Sequence, residues 1–443
     1  MPTLAPVVRN SIARSTTDDT DDLFDGRRDS VSGKQYEQLL HSHGNNPAGQ
    51  ESVSVYVHLP FCPSRCLSCD HNTTVTHDSA DIDRYLDALE REMEMVTRII
   101  GVGRNLLQLH VGGGTPNYLS DPQLVRLITM IERHFRIVDS TETSLEASPK
   151  RTSYAQLQLL HGLGFRRINF EVRDLDPAVQ TAIGRSHSPS VLQDVFHSAR
   201  DVGFETTSMD LVYGLPTQSP ASMYKTLATV IELNPDRIAC FAYSLRPGNF
   251  AHQRAIDLTT MPSLGDKIAM FNGIVELLQS AGYSWVGLDA FAKVDDTLSL
   301  AQLEHRLHRN WIGYTLHDRA DVYGFGTNAI SDLSSLCVQN HLLIPDWRDA
   351  MHEGSLPIRG GIRLSNADQD RRRAMNDLMC NMELQDYTSL MNVDGQGDML
   401  QQLNRDGLVE VSAERVSVTA HGRQVLNQRW GDASPMYRWM GIW

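Results

Sequence analysis

From residue 53 the chain alternates short apolar runs with longer segments of helical periodicity. Residues 54–59 read as a buried strand. Ile82, Tyr85, Leu86, Leu89, Met93 and Val96 then recur at spacings of three and four, which predicts an amphipathic helix. Further strands are expected over 107–111, 143–147, 167–172, 206–213 and 237–243, with helices over 122–135, 154–163, 222–233 and 267–281 and on either side of Ser188. Strands separated by helices in this way make a parallel sheet with right-handed crossovers. Periodicity alone allows a doubly wound sheet as readily as a barrel. In both, sites gather at the carboxyl ends of the strands. Cys62, Gly112 to Thr115, Glu146, Arg173 and Asp210 all fall at or just past such ends.

The flanks break this pattern. Residues 1–50 are polar and irregular, with an acidic run at 15–22 and a breaker cluster at 43–47. They are expected to form a largely disordered acidic tail carrying one short helix near 36–40. Towards the other end, 399–403, 408–411, 416–418 and 420–427 read helix–strand–strand–helix, a winged-helix-like module suited to a lid. The expected division is a tail to 50, an α/β unit over 51–290 and a mainly helical substrate or lid domain over 291–443.

Composition narrows the class. With 443 residues, 41% hydrophobic and 21% charged, the chain reads as an ordinary soluble globular protein of two or three domains. No run approaches the roughly 18 apolar residues of a membrane span, and Met1 to Asn10 has no apolar core of signal-peptide length. A net charge of −14 argues against broad binding of nucleic-acid backbones. Six cysteines in so long a chain do not make a disulfide framework. A cytoplasmic monomer in a reducing compartment is the expectation.

Three of those cysteines change the picture. Cys62, Cys66 and Cys69 have Cys-x3-Cys-x2-Cys spacing at the end of the first strand. Three thiolates this close can hold three irons of a [4Fe-4S] cluster, leaving the fourth iron open to a ligand. A structural zinc site is the competing reading, but no second cysteine pair follows. Cys240, Cys337 and Cys380 are scattered and read as buried small apolar residues. Gly112-Gly113-Gly114-Thr115-Pro116 follows a strand, where glycines let backbone approach a ligand; a tight strand–helix turn would explain the run equally well. Asp210 is a charge in an apolar strand, rarely buried unless paired or functional. Glu146 alone would read as a salt-bridge partner, Arg185 as a surface arginine and Tyr56 as a core aromatic.

The run Tyr56-Val-His-Leu-Pro-Phe-Cys62, with the three cysteines, resembles the radical S-adenosylmethionine (SAM) superfamily, in particular its oxygen-independent coproporphyrinogen III oxidase branch. Further matches lie at Leu233-Asn-Pro-Asp-Arg237, Gly287-Leu-Asp-Ala-Phe-Ala292, His308-Arg-Asn-Trp-Ile-Gly-Tyr314 and Gly324-Phe-Gly-Thr-Asn-Ala-Ile-Ser331. The resemblance implies an incomplete (β/α)6 barrel and two molecules of SAM. The first would contact Tyr56, Gly113, Glu146 and Ile330. The second would contact Ser68, Gly114, Thr115, Arg173, Arg185, Asp210 and Ser244. It assigns no catalytic side chain. Departures from the oxidases are His71 in place of a non-ligating fourth cysteine, Ser68 for an aromatic, Arg173 for glutamine and Ala290 for histidine. The oxidases' Arg-Tyr-Thr-Ser-Tyr-Pro-type segment is also missing from residues 1–50. The implied function is oxidative decarboxylation of tetrapyrrole propionates to vinyl groups in haem biosynthesis, fed by a low-potential electron donor. Methyl or methylene transfer to another substrate, or a haem chaperone, are the alternatives.

Overall fold

The structure, a computed structural model, describes residues 31–44, 52–318, 320–385, 387 and 396–427. Strand β1 (Ser52–Leu59) sets its logic. Val53, Val55, Val57 and Leu59 are wholly buried in the main core, and the alternating Ser54, Tyr56 and His58 lie on the opposite face. The same alternation recurs in β2 (Arg104–Gly113), β3 (Glu142–Ala147), β4 (Arg167–Arg173), β5 (Thr206–Tyr213) and β6 (Arg237–Ala242). One face of these strands packs under the helices. The other carries Gln108, His110, Ser144, Asn169 and Asp210, which line a chamber.

The helices begin with α1 (Gly33–Gly44) and α2 (Ser79–Ile100). In α2 the stripe Ile82, Tyr85, Leu86, Leu89, Met93 and Val96 is buried as its period requires. Asp78 caps its start by accepting from Ala80 N, and Gly101 ends it at φ 95°. Between successive parallel strands run α3 (Asp121–His134), α4 (Tyr154–Gly162), α5 (Pro177–Ala182), α6 (Pro189–Val202) and α7 (Pro220–Leu233), and α8 (Leu264–Ser280) follows β6.

The chain continues through β7 (Tyr283–Val286), β8 (Ala290–Lys293), α9 (Thr297–Leu303), β9 (Val322–Phe325), β10 (Ile330–Leu333), β11 (Leu336–Asn340), α10 (Ile344–His352) and β12 (Ile358–Arg363). A thirteen-stranded sheet results, ordered β7-β8-β6-β5-β4-β3-β2-β1-β9-β10-β11-β12, with the two-residue strand Phe135–Arg136 beside β2. Strand β9 and strands β1 to β6 run parallel, and both flanks are antiparallel. From β1 to β6 spatial order follows chain order. A doubly wound sheet would reverse at a switch point; none occurs, so the winding is that of an incomplete (β/α)6 barrel.

Two expected boundaries shift. Tyr36 and Leu40 are 2% and 0% exposed, and α1 packs against α2 and β12, so 33–44 belongs to the fold rather than to a tail. The acidic run at 15–22 lies outside the described residues. The division at 290 does not coincide with a sheet edge, because β8 starts there and β9 to β12 extend the same sheet. Val322–Phe325 is buried on both faces and shows no alternation to read.

The last elements are α11 (Asn366–Asn381), β13 (Glu383–Gln385), α12 (Gln396–Arg405), β14 (Val409–Val411), β15 (Arg415–Val418) and α13 (Ala420–Asn427). They include the expected helix–strand–strand–helix order, and β13 adds a third strand beside β15. Met375, Leu378, Leu400, Leu408, Val416 and Val425 form a core of their own around Leu288 from the β7–β8 turn. Among the described residues, no helix is long and apolar enough to cross a membrane.

Candidate active site

Beyond β1 the chain turns at Pro60 into the cysteine loop. Cys62, Cys66 and Cys69 are all free thiols and line one cavity of about 560 Å³. Hydrogen bonds from four places pin the loop. Arg65 donates to Thr73 O (2.6 Å) and Leu67 N to Ile183 O (2.9 Å). His252 and Gln253 donate to Cys69 O at 2.8 and 2.9 Å. Three thiols lining one cavity suit a group with several metal atoms.

The thiols differ in setting. Burial pushes Cys62 up to about 11 and raises Cys66 as well. At Cys69 burial acts in the same direction but is outweighed by hydrogen bonding and charge from His71, and its pKa falls. His71 Nδ1 sits 2.9 Å from the Asp70 carboxylate. Thr115 Oγ1 lies 3.4 Å from Cys62 Sγ. Arg173 and Arg185 line the same cavity and place positive charge where thiolates would gather.

The glycine run is set by β2 and anchored by Glu146. Gly113 N donates to Glu146 Oε2 at 3.0 Å, and His110 Nε2 is 3.2 Å from Glu146 Oε1. Burial alone would raise Glu146, but His110, His71 and the Gly113 N–H bring it down to about 2. His110 also meets Ser144 Oγ (2.7 Å) and stacks on Tyr56 at 5.9 Å, while Tyr56 OH bonds His58 Nδ1 at 2.9 Å. Tyr56, His58, His110 and Glu146 therefore form one hydrogen-bonded and stacked wall.

On β4, Arg173 has φ 64° where the β4–β5 register shifts. This bulge conformation is uncommon for a residue with a side chain. Its guanidinium is 3.5 Å from Glu171, and Arg185 reaches the same carboxylate at 3.3 Å. Asp210 accepts from Asn169 Nδ2 at 2.6 Å; burial, with the charges of Glu146 and Glu171, pushes it up to about 7.

A second cavity of about 3360 Å³ fills the barrel interior and extends under the C-terminal elements. It meets the cysteine cavity at Arg65, His71, Thr73, Glu171 and Arg173, which line both. Glu146, Asp210, Ser244 and Ile330 line the large chamber; Gly113, Gly114, Thr115 and Arg185 line the cysteine cavity. Tyr56 and Ser68 line neither. Ser68 is fully buried with its hydroxyl unpartnered. Residues that sequence reasoning passed over include Glu171, His110, Asn169, His252 and Gln253. For Glu171 and Asn169 a signal was present in the polar alternation of Asn169-Phe-Glu-Val-Arg173.

Residues 56–230 match the model of the radical SAM superfamily. The chain is 35% identical over 394 residues to the oxygen-independent coproporphyrinogen III oxidase of Pseudomonas aeruginosa, spanning 87% of this chain and 86% of that protein. It is 36% identical over 389 residues to the Escherichia coli enzyme of the same name, spanning 85% and 84%. The solved structure of coproporphyrinogen III oxidase (HemN) from Escherichia coli, a radical SAM enzyme, superposes with a TM-score of 0.84 at 33% identity, over 92% of this chain and 93% of that one.

Proposed function

Because the chain belongs to the oxygen-independent coproporphyrinogen III oxidase family of radical SAM enzymes, we propose that it converts propionate side chains of coproporphyrinogen III to vinyl groups. Each propionate would give up one hydrogen atom, carbon dioxide and one electron. The observation that carries the reading is the junction of the two cavities: a pocket lined by three thiols meets a chamber of about 3360 Å³ at Glu171 and Arg173.

Radical SAM enzymes use a [4Fe-4S] cluster and SAM, which together supply a 5′-deoxyadenosyl radical able to take a hydrogen atom. In our reading Cys62, Cys66 and Cys69 hold three irons, and His252 and Gln253 keep the loop in place through Cys69 O. Tyr56, Gly113, Glu146 and Ile330 serve the first SAM. Glu146 does so partly by fixing the Gly113 backbone. Ser68, Gly114, Thr115, Arg173, Arg185, Asp210 and Ser244 serve the second. Asp210 is a carboxyl suited to accept from hydroxyl groups, and the Arg173–Glu171–Arg185 triad keeps a net positive charge beside anionic groups. A low-potential electron donor, a monomeric chain and a reducing cytoplasm complete the proposal, with the six free cysteines in support.

Anaerobic reconstitution followed by incubation with coproporphyrinogen III, SAM, reductant and an electron acceptor tests it. Mono- and divinyl products with released carbon dioxide are expected. Formation of 5′-deoxyadenosine without vinyl products would overturn the assignment and favour methyl transfer to another substrate.

A further inference from the structure

The cysteine cavity has a charge pattern that cluster and SAM binding do not use up. Ser64, Arg65, Lys150, Arg151, Gly184 and Ser186 line it and are exposed, so they form its mouth. Cys62 and Cys66 are partly exposed behind them. Among the described residues Glu171 is the one carboxylate in the lining, and it is engaged by Arg173 and Arg185. A basic mouth thus stands on a chain of net charge −14. Lys150 and Arg151 occupy a 3-10 turn, Pro149–Arg151, that directly follows β3, and Pro149 is buried beneath them. The Arg151 guanidinium rests 4.6 Å from the Tyr118 ring centroid, which fixes its direction. His187, in the same cavity, feels the field: burial, Arg185 and Lys150 push its pKa down to about 4.

We infer that Lys150 and Arg151, with Arg65, form the docking surface for a small acidic one-electron carrier protein. The inference rests on the proposed cluster at Cys62, Cys66 and Cys69. One electron passes from the carrier, which is oxidised by one equivalent, to the cluster, which is reduced by one. On a chain of net charge −14 this local basic cluster would attract an acidic carrier, and its place at the mouth both steers the carrier and orients it over the thiols. Lys150 and Arg151 line the cysteine cavity and not the large chamber, whereas Arg65 lines both, so the carrier would dock beside the substrate space.

The test uses the reconstituted full chain carrying Lys150→Glu with Arg151→Glu, two residues outside the proposed cluster and SAM contacts. Cluster reduction is followed by stopped flow with two reductants, a reduced acidic [2Fe-2S] ferredoxin and reduced methyl viologen, a small cation. At low ionic strength the ferredoxin rate should fall by about tenfold or more and lose its salt dependence, while the viologen rate holds. The milder pair Lys150→Gln with Arg151→Gln should give an intermediate loss. Equal ferredoxin rates and salt slopes in wild type and variants, beside normal viologen reduction, would overturn the docking surface alone. A wild-type chain that assembles no viologen-reducible cluster overturns the underlying assignment, and the docking surface with it.

Discussion

Glu92 shows how far a single residue can hold the site from outside it. It lies on the apolar stripe of α2, 2% exposed, and accepts from Gly326 N (2.8 Å), Asn340 Nδ2 (2.6 Å) and Trp347 Nε1 (3.1 Å). Those donors come from the end of β9, from β11 and from α10. The carboxylate thereby fastens the turn that leads from Gly326 to Ile330 and the chamber. Removing it strands three buried donors, so Glu92→Ala should lower stability by about 3 kcal/mol in urea unfolding. Burial pushes Glu92 up to about 8 from an ordinary 4.5. Between those values the unfolded chain has released a proton that the folded chain keeps. Its contribution to stability is therefore full below about 4.5 and is lost as pH rises through 8. The stability of wild type relative to Glu92→Gln should fall across that window, and a difference independent of pH would show that Glu92 is ionised throughout.

At the scale of elements, the glycine run illustrates what a motif hides. The sequence points to backbone approach to a cofactor. The structure adds a nearer constraint: a β-carbon on Gly113, at φ 112°, would lie 2.6 Å from His58 Cε1, and one on Gly112 would lie 2.9 Å from the Glu146 carboxylate. Gly114 is equally tight, 2.7 Å from Phe61 O. Gly113→Ala should thus displace His58 and break the Tyr56–His58 contact while the cysteine loop stays in place. Iron and sulfide contents after reconstitution should be normal, with 5′-deoxyadenosine formation under dithionite reduced by about tenfold or more. An undiminished yield would remove the glycine run from the SAM site. Strands β1 to β6 were legible as apolar runs separated by helical segments, and α2 was legible because it is long and periodic. Strand β9 and the antiparallel flank β10 to β12 were not, since these strands are short, buried on both faces or glycine-bearing. Glu171 stood in plain alternation on β4, but its two arginine partners depend on a bulge and on a loop 14 residues further along. The hold of His252 on Cys69 spans 183 residues and leaves no local trace.

At the scale of the molecule, the C-terminal core meets the barrel at the β7–β8 turn, beside a smaller cluster that includes Val286, Leu298, Leu307 and Cys380. The C-terminal core closes over Leu288 in the β7–β8 turn, and Arg423 of α13 locks it from outside. Arg423 Nε donates to Gly287 O at 3.1 Å, its Nη2 to the same carbonyl at 2.7 Å, and the guanidinium lies 4.0 Å from the Trp285 ring centroid. Carbonyls and a ring face, rather than a carboxylate, hold this half-buried charge. Helix α11 belongs to the same core through Met375 and Leu378, and its Met375, Asn376 and Met379 line the large chamber. The seam therefore connects the fit of the module on the barrel to the shape of the substrate space. Arg423→Ala should leave cluster content and SAM cleavage unchanged without substrate, reduce hydrogen-exchange protection across 396–427, and raise KM for coproporphyrinogen III more than it lowers kcat. Protection lost with KM unchanged would mean that the module is only packed beside the chamber and does not shape it.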